Sequence, residues 1–264
     1  YFTPRGHIKW NITPTTILRA SAGMGYRSTN VIADNIGILA TGRTIIFNGD
    51  KSSVDTPFNL TSDFQRMESV ATFGGSLAQT FTLVGYRDAT ISFDYFRTEF
   101  INRVMADQEW GADYVNIYST DGKSFTDNYQ VDFTWTPVER FDIFATFRYT
   151  DSRYTINNHG TPTMVERPLV SRYKALINLQ YATNMRKWTF DFTAQLNGPA
   201  RIPTQTGNLE DSTLSPIYPM LFAQVSRRIK KWEIYAGCEN ILNYKQKNPI
   251  ISADDPYSTA FNSS

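Results

Sequence analysis

Residues 129–149 read YQVDFTWTPVERFDIFATFRY, and their alternation constrains the fold more than any other stretch. Tyr129, Val131, Phe133 and Trp135 fall on one side of an extended chain; Gln130, Asp132, Thr134 and Thr136 fall on the other. After Pro137-Val138-Glu139-Arg140 the alternation resumes, with Phe141, Ile143, Ala145, Phe147 and Tyr149 against Asp142, Thr146 and Arg148. A period of two marks a strand, because successive side chains of an extended backbone point to opposite faces. Proline has no N–H to give to a ladder, so Pro137 predicts the turn. One face is aromatic and the other carries Asp and Arg. That division suits the wall of a membrane barrel, lipid outside and polar lumen inside, better than a soluble sandwich.

Composition agrees. The chain has 264 residues and a formal net charge of +1, so nothing directs it to nucleic acid. Aromatics make up 14% of it, with 15 Tyr and 18 Phe, which favours strands and an interfacial belt. A single Cys excludes an internal disulfide and a cysteine metal cluster. No apolar run approaches the roughly 18 residues of a spanning helix. The mean hydropathy of −0.37 is that of a soluble protein, but a polar lumen face masks a lipid face in any average. No signal peptide is present, and the chain opens within strand-like sequence, which is the expectation for a fragment or a processed product.

About ten strands are expected along the chain. They fall at 6–13, 17–27, 61–82, 89–107, the pair within 129–149, 169–182, 187–197, 216–227 and 231–243. The cleanest sets Trp188, Phe190, Phe192, Ala194 and Leu196 against Thr189, Asp191, Thr193, Gln195 and Asn197. Tight connections of roughly 2–6 residues alternate strictly with long ones of roughly 10–30. The long ones are 28–60, 108–123, 154–167 and 198–215, with a short helix possible at 31–41. Short turns at one end and long loops at the other form the up-and-down pattern of outer-membrane barrels. Trp10, Trp135, Trp188 and Trp232 each lie beside a tight turn, and only Trp110 lies in a long connection. Indole rings prefer the headgroup level with the N–H wet, so those four are read as one membrane girdle. Packing at the strand ends of a soluble sheet is the alternative.

No catalytic motif is present: there is no HExxH, no nucleotide-binding glycine loop and no GxSxG. His159 lies in Asn157-Asn158-His159-Gly160, where a solvated turn histidine is a better account than a contact to a metal complex. Asp94, Asp132, Asp142 and Asp191 all fall on polar strand faces, which makes them lumen-facing groups rather than catalytic acids. Cys238 shares a face with Trp232, Ile234 and Ala236 and acts as a small hydrophobe. The basic run 227–231 sits at a tight turn and suits lipid headgroups better than nucleic acid. No enzyme activity and no cofactor or metal are expected.

Three stretches carry a family resemblance. Residues 23–30, GMGYRSTN, resemble the GxGxRxxN-like segment in the C-terminal half of TonB-dependent outer-membrane receptors. Residues 92–107, SFDYFRTEFINRVMAD, look like that family's recurring strand with a Tyr/Phe-Arg-Thr pair and a terminal Asp. Residues 239–244, ENILNY, look like a stretch near its C-terminus. Ile32-Ala33-Asp34-Asn35-Ile36-Gly37-Ile38-Leu39-Ala40 has the flavour of receptors from Bacteroidetes-type bacteria. The resemblance implies an all-β, transmembrane, antiparallel up-and-down barrel, with about ten strands of a 22-stranded whole. It also implies that residues 1–264 are the C-terminal portion of one barrel domain, without the plug domain, the TonB box or the last strand.

The implied activity is active import of a scarce large ligand, a ferric siderophore, haem, cobalamin or glycan, driven by TonB. Implied partners are the TonB complex through the absent plug, the extracellular ligand, outer-membrane lipid and lipopolysaccharide, and a surface lipoprotein lid. Candidate ligand contacts by position are Arg27, Arg43, Trp110, Tyr114, Tyr118, Arg153, Tyr154 and His159. Arginine pairs with carboxylates and phosphates, and aromatic rings stack on planar or sugar faces. Two readings stay open beside the importer: a passive porin-like channel without a plug, and a soluble β-sandwich binding module. A barrel lipase finds no nucleophile–base pair here.

Overall fold

The structure is a computed structural model that describes residues 2–28, 31–34, 36–37, 42–47, 68–101, 103–109, 111, 113–120, 122–158, 161–204 and 212–246. Its main element is one antiparallel meander. In spatial and chain order it runs through β1 (Arg5–Asn11), β2 (Thr16–Arg27), β4 (Glu68–Phe81), β5 (Ala89–Phe100), β8 (Ser124–Val138), β9 (Phe141–Asn158), β11 (Tyr173–Ala182), β12 (Trp188–Asn197), β13 (Tyr218–Ile229) and β14 (Trp232–Cys238). The numbers missing from that path are strands of the long connections: β3 (Thr44–Phe47), β6 (Arg103–Asp107), β7 (Tyr114–Thr120) and β10 (Thr161–Glu166). The expected ten-strand wall is therefore present. Three of the four long connections carry strands, β3, β7 and β10, where the sequence predicts only loop, and the strand expected over 89–107 ends at Phe100, with 103–107 forming β6 in a separate sheet.

The register explains the alternation. Phe133, Ala145, Ile177, Ala194 and Leu221 lie in one line across β8, β9, β11, β12 and β13. Every one belongs to the apolar face. The opposite face is polar and knitted across strands: Gln180 donates to Asp191 at 2.7 Å, Asn178 to Thr193 at 2.8 Å and Thr136 to Asp142 at 2.7 Å. Phe144 and Leu176 also fall on that face, so it is not purely polar. A sheet with an apolar side this large must cover it, and no second layer does so among the described residues: Phe147 is 46% exposed and Ile177 40%. β1 and β14, at the ends of the path, each leave one edge unpaired among the described residues.

Turn chemistry corrects two expectations. Pro137 does not form the first turn; β8 bulges between Trp135 and Val138, and Glu139-Arg140 turn the chain with Arg140 at φ 70°. The bulge leaves proline's missing donor outside the regular ladder. At the other basic hairpin the turn is Lys230-Lys231, not 228–230, because β13 continues to Ile229. The connection 82–88 lies over β8: Tyr86 N–H donates to the carbonyl of Pro137 at 3.0 Å. A Cβ on Gly85 would sit 3.0 Å from Trp135 Nε1, so only glycine lets that turn approach the indole.

Candidate functional site

The long connections gather at one end of the wall and fold onto each other. β6 and β7 form an antiparallel hairpin, and β3 adds to β7 in parallel. Parallel pairing needs a crossover rather than a tight turn, and here the chain passes through β4, β5 and β6 between β3 and β7. β10 doubles back on the extension of β9, pairing Val165 with Tyr154. Met105, Tyr118, Tyr154 and Ile156 form a buried cluster, with Val165 packed against it. Tyr154 and Ile156 share a face with Asp142, Thr146 and Arg148 by strand alternation. The loop layer therefore covers the polar side of the wall at this end.

An ion pair ties the layer together. Arg201 donates from Nη1 and Nη2 to the two carboxylate oxygens of Glu109 at 2.7 and 2.6 Å, and the two side chains are 8% and 3% exposed. Glu109 also accepts the Thr204 N–H at 2.9 Å and the Tyr154 hydroxyl at 3.5 Å. Arg201 Nε donates to the Glu166 carbonyl at 2.7 Å, and the Glu166 carboxylate receives a two-point contact from Arg172. Burial opposes the Arg201 charge, but its hydrogen bonds and attraction to Glu109 outweigh that and hold it above its ordinary pKa. Asp107 accepts the Glu109 N–H at 2.8 Å and the Tyr118 hydroxyl at 3.2 Å. Burial raises the Asp107 pKa, and those hydrogen bonds pull it back only in part. Three connections that are far apart in sequence meet at this one carboxylate–guanidinium contact.

The eight candidate contacts separate into groups. Tyr114, Tyr118 and Tyr154 lie in or against the layer, and Arg43 reaches it by donating to the Gln108 carbonyl at 3.2 Å. Tyr118 and Tyr154 are each 7% exposed and form the floor of the layer. Arg27 sits at the root of the first long connection, bridging Asp34 and, at 3.7 Å, Glu68. Arg153 is adjacent to Tyr154 in sequence but on the opposite face of β9, paired with Asp151 at 2.8 Å. Trp110 and His159 lie outside the described residues. Glu109, Glu166, Arg172 and Arg201 are not among the residues that the sequence points to, and Asp107 enters there only as the terminal Asp of the 92–107 stretch; no local spacing links Glu109 to Arg201. At the tight-turn end the polar face carries a recess of about 280 Å³, edged by Arg140, Asp142, Asp191, Arg228 and Glu233. Among the described residues no group of His, Cys, Asp and Glu is arranged to hold a metal ion.

The last of the three stretches that carry the resemblance has a definite structural job. In 239–244 the Asn240 side chain closes a ring with Tyr244, donating to its carbonyl at 3.0 Å and accepting its N–H at 2.9 Å. Asn240 and Asn243 both have left-handed φ, which asparagine tolerates well. The turn lays Tyr244 on Tyr218 with ring centroids 5.0 Å apart.

A family model described as TonB dependent receptor-like, beta-barrel, matches residues 1–241. No curated protein matches the chain. Among solved structures, a mutant of the ferric enterobactin receptor PfeA from Pseudomonas aeruginosa, in complex with enterobactin, is similar over 92% of this chain and 35% of that one, at 13% identity and a TM-score of 0.62. The siderophore receptor PiuA from Acinetobacter baumannii is similar over 91% and 31%, at 16% identity and a TM-score of 0.56. The copper transporter OprC is similar over 90% and 33%, at 10% identity and a TM-score of 0.59. The chain thus spans about a third of the length of the receptors it matches.

Proposed function

Because the chain belongs to the TonB-dependent receptor-like β-barrel family, we propose that it forms part of the wall and ligand-facing loops of an outer-membrane importer. The ten-strand meander, apolar on one face and polar on the other, carries this reading. Lipid covers the apolar face, and the polar face lines a lumen. Free strand edges are untenable in hydrocarbon, so β1 and β14 pair with further strands of the same barrel. On this reading residues 1–264 belong to the C-terminal portion of that barrel domain.

The long connections face the outside of the cell, and the layer fixed by Glu109 and Arg201 overhangs the lumen. Loops on a rigid scaffold are where binding concentrates. The ligand is a ferric siderophore, haem, cobalamin or a glycan, moved inward with TonB-coupled energy. Siderophore receptors among the structural relatives support the first class. Arg27, Arg43, Tyr114, Trp110 and His159 remain the contacts proposed for it. Trp10, Trp188 and Trp232, which are 59%, 37% and 76% exposed, mark the periplasmic edge of the bilayer. Trp135 belongs to that end too, but its indole N–H is buried beneath the 82–88 turn rather than wet. The Bacteroidetes-like flavour rests on residues 32–40 alone, and a lipoprotein lid rests on that flavour.

Uptake by cells expressing the complete receptor, with and without TonB, tests the proposal on a panel of ferric siderophores, haem, cobalamin and oligosaccharides. Receptor-dependent uptake of one class that vanishes without TonB supports it. Receptor-dependent uptake unaffected by TonB establishes the passive channel instead.

A further inference from the structure

Four tyrosines stand in one line across four neighbouring strands. Tyr95 pairs with Tyr129, Tyr129 with Tyr149, and Tyr149 with Tyr173, all on the apolar face. The first two ring pairs have centroids 4.9 and 6.3 Å apart, and Phe147 stacks on Tyr173 at 6.2 Å. On the tight-turn side of the line that face is apolar. On the loop side of β5, β8 and β9 it changes character within one step of the alternation, to Arg97, Asp127 and Asp151, then to Glu99, Phe125 and Arg153.

These charges satisfy one another. Arg97 donates to Asp127 at 3.0 Å and Glu99 at 2.8 Å, and its guanidinium lies 4.3 Å from the centroid of the Phe125 ring. Arg153 holds Asp151 at 2.8 Å, and the Tyr95 hydroxyl donates to Asp127 at 2.9 Å. Such a lattice is stable in water and costly in hydrocarbon. Arg97 and Arg153, the two arginines of the collar, each already hold a carboxylate.

We propose that the Tyr95–Tyr129–Tyr149–Tyr173 line lies at the outer headgroup level of the bilayer, and that the charged collar beyond it stands clear of the membrane. The inference rests on the barrel reading above and adds the level at which the lipid surface meets the wall. Tyrosine suits that level because its ring prefers the apolar side and its hydroxyl the wet side. The dimensions fit. At about 3.3 Å per residue and a tilt of about 45°, Tyr173 to Tyr181 rises roughly 19 Å and Trp188 to Asn197 roughly 21 Å, close to the apolar band of about 25 Å in such barrels. The tyrosine line and the exposed tryptophans therefore bracket a single hydrocarbon layer.

Nitroxide labels on single cysteines in the complete receptor, in lipid and with Cys238→Ser as background, test this. The observable is the ratio of relaxation by oxygen to relaxation by a water-soluble nickel chelate. Labels at Phe93 and Phe147 are expected to be oxygen-dominated, and labels at Arg97 and Asp151 nickel-dominated, with the ratio inverting across the line on both strands. Two strands are used so that a variant failing to assemble on one leaves the other decisive. Equal ratios at 147 and 151, or at 93 and 97, overturn the proposal. Labels at Ala145 and Thr146 separate it from its premise. If they differ while 147 and 151 do not, only the level is wrong; if 145 and 146 match, the barrel reading itself fails.

Discussion

Glu109 and Arg201, 92 positions apart in the chain, meet as a buried two-point ion pair that locks the loop layer. Removing one partner strands the other charge in a site that excludes water. Glu109→Gln is expected to cost the layer about 3–5 kcal/mol, the range for breaking a buried pair. Hydrogen exchange measures it: the amides of β6 and β7 lose protection while those at 141–149 in the wall keep theirs. Replacing both residues by apolar ones of similar volume is expected to recover most of the loss, because the desolvation penalty disappears with the charges. Unchanged exchange in the single variant would contradict the locking role.

Asp107 gives the same layer a pH dependence. Burial raises its carboxyl above the ordinary value of 3.8. A carboxyl that holds its proton more tightly when folded contributes stability that is fully present below its unfolded pKa and is lost as pH rises through the folded one. Protection of the β6–β7 amides in the parent protein is therefore expected to fall, relative to Asp107→Asn, as pH rises from about 3.8 through the raised pKa. A difference between the two proteins that stays constant with pH would exclude Asp107 as the titrating group.

The wall makes a prediction through its two faces. Arg in place of Ala145, on the apolar face of β9 mid-way between Phe141 and Tyr149, is expected to cost about 2–4 kcal/mol of stability in lipid, if the site lies near the midplane. Arg in place of Thr146, one residue on and facing the lumen, is expected to change little. Urea unfolding of the two reconstituted variants gives the comparison, and equal losses would favour a soluble sandwich.

Backbone approach within the wall is testable at Gly74. A Cβ there would lie 2.1 Å from the Tyr95 carbonyl oxygen and 2.7 Å from the Phe96 ring. Gly74→Ala must push β4 and β5 apart and is expected to cost about 1–3 kcal/mol. Gly25→Ala, with nothing within 4 Å of its Cβ, serves as the control and is expected to lie within roughly 0.5 kcal/mol of the parent.

What can be read from the sequence follows from the range of the forces involved. β8, β9 and β12 are legible because each has one apolar and one polar face, an alternation that each strand displays alone. β7 carries the same signal weakly, with Val115 and Ile117 on either side of Asn116, and is hidden inside a long polar connection. β10 begins Thr161-Pro162, and the proline disguises an edge strand. The Glu109–Arg201 contact has no local trace, since it depends on how three connections pack. The tyrosine line is equally hidden. Each tyrosine fits its own strand, but only the register between strands shows that the four coincide.

Long connections outside the cell, tight turns in the periplasm and a wall crossing the outer membrane between them form one claim, and a single labelling experiment tests it. Single cysteines at Met164, in β10, and Met185, in a tight turn, replace side chains that are 44% and 79% exposed in the parent and suit an impermeant maleimide. With Cys238→Ser as background and the complete receptor in intact cells, labelling is expected at 164, with labelling at 185 appearing only after the outer membrane is permeabilised. Labelling at 185 but not 164 would invert the barrel and place every proposed ligand contact on the wrong side. Equal labelling of both in intact cells would mean that this chain does not cross the membrane.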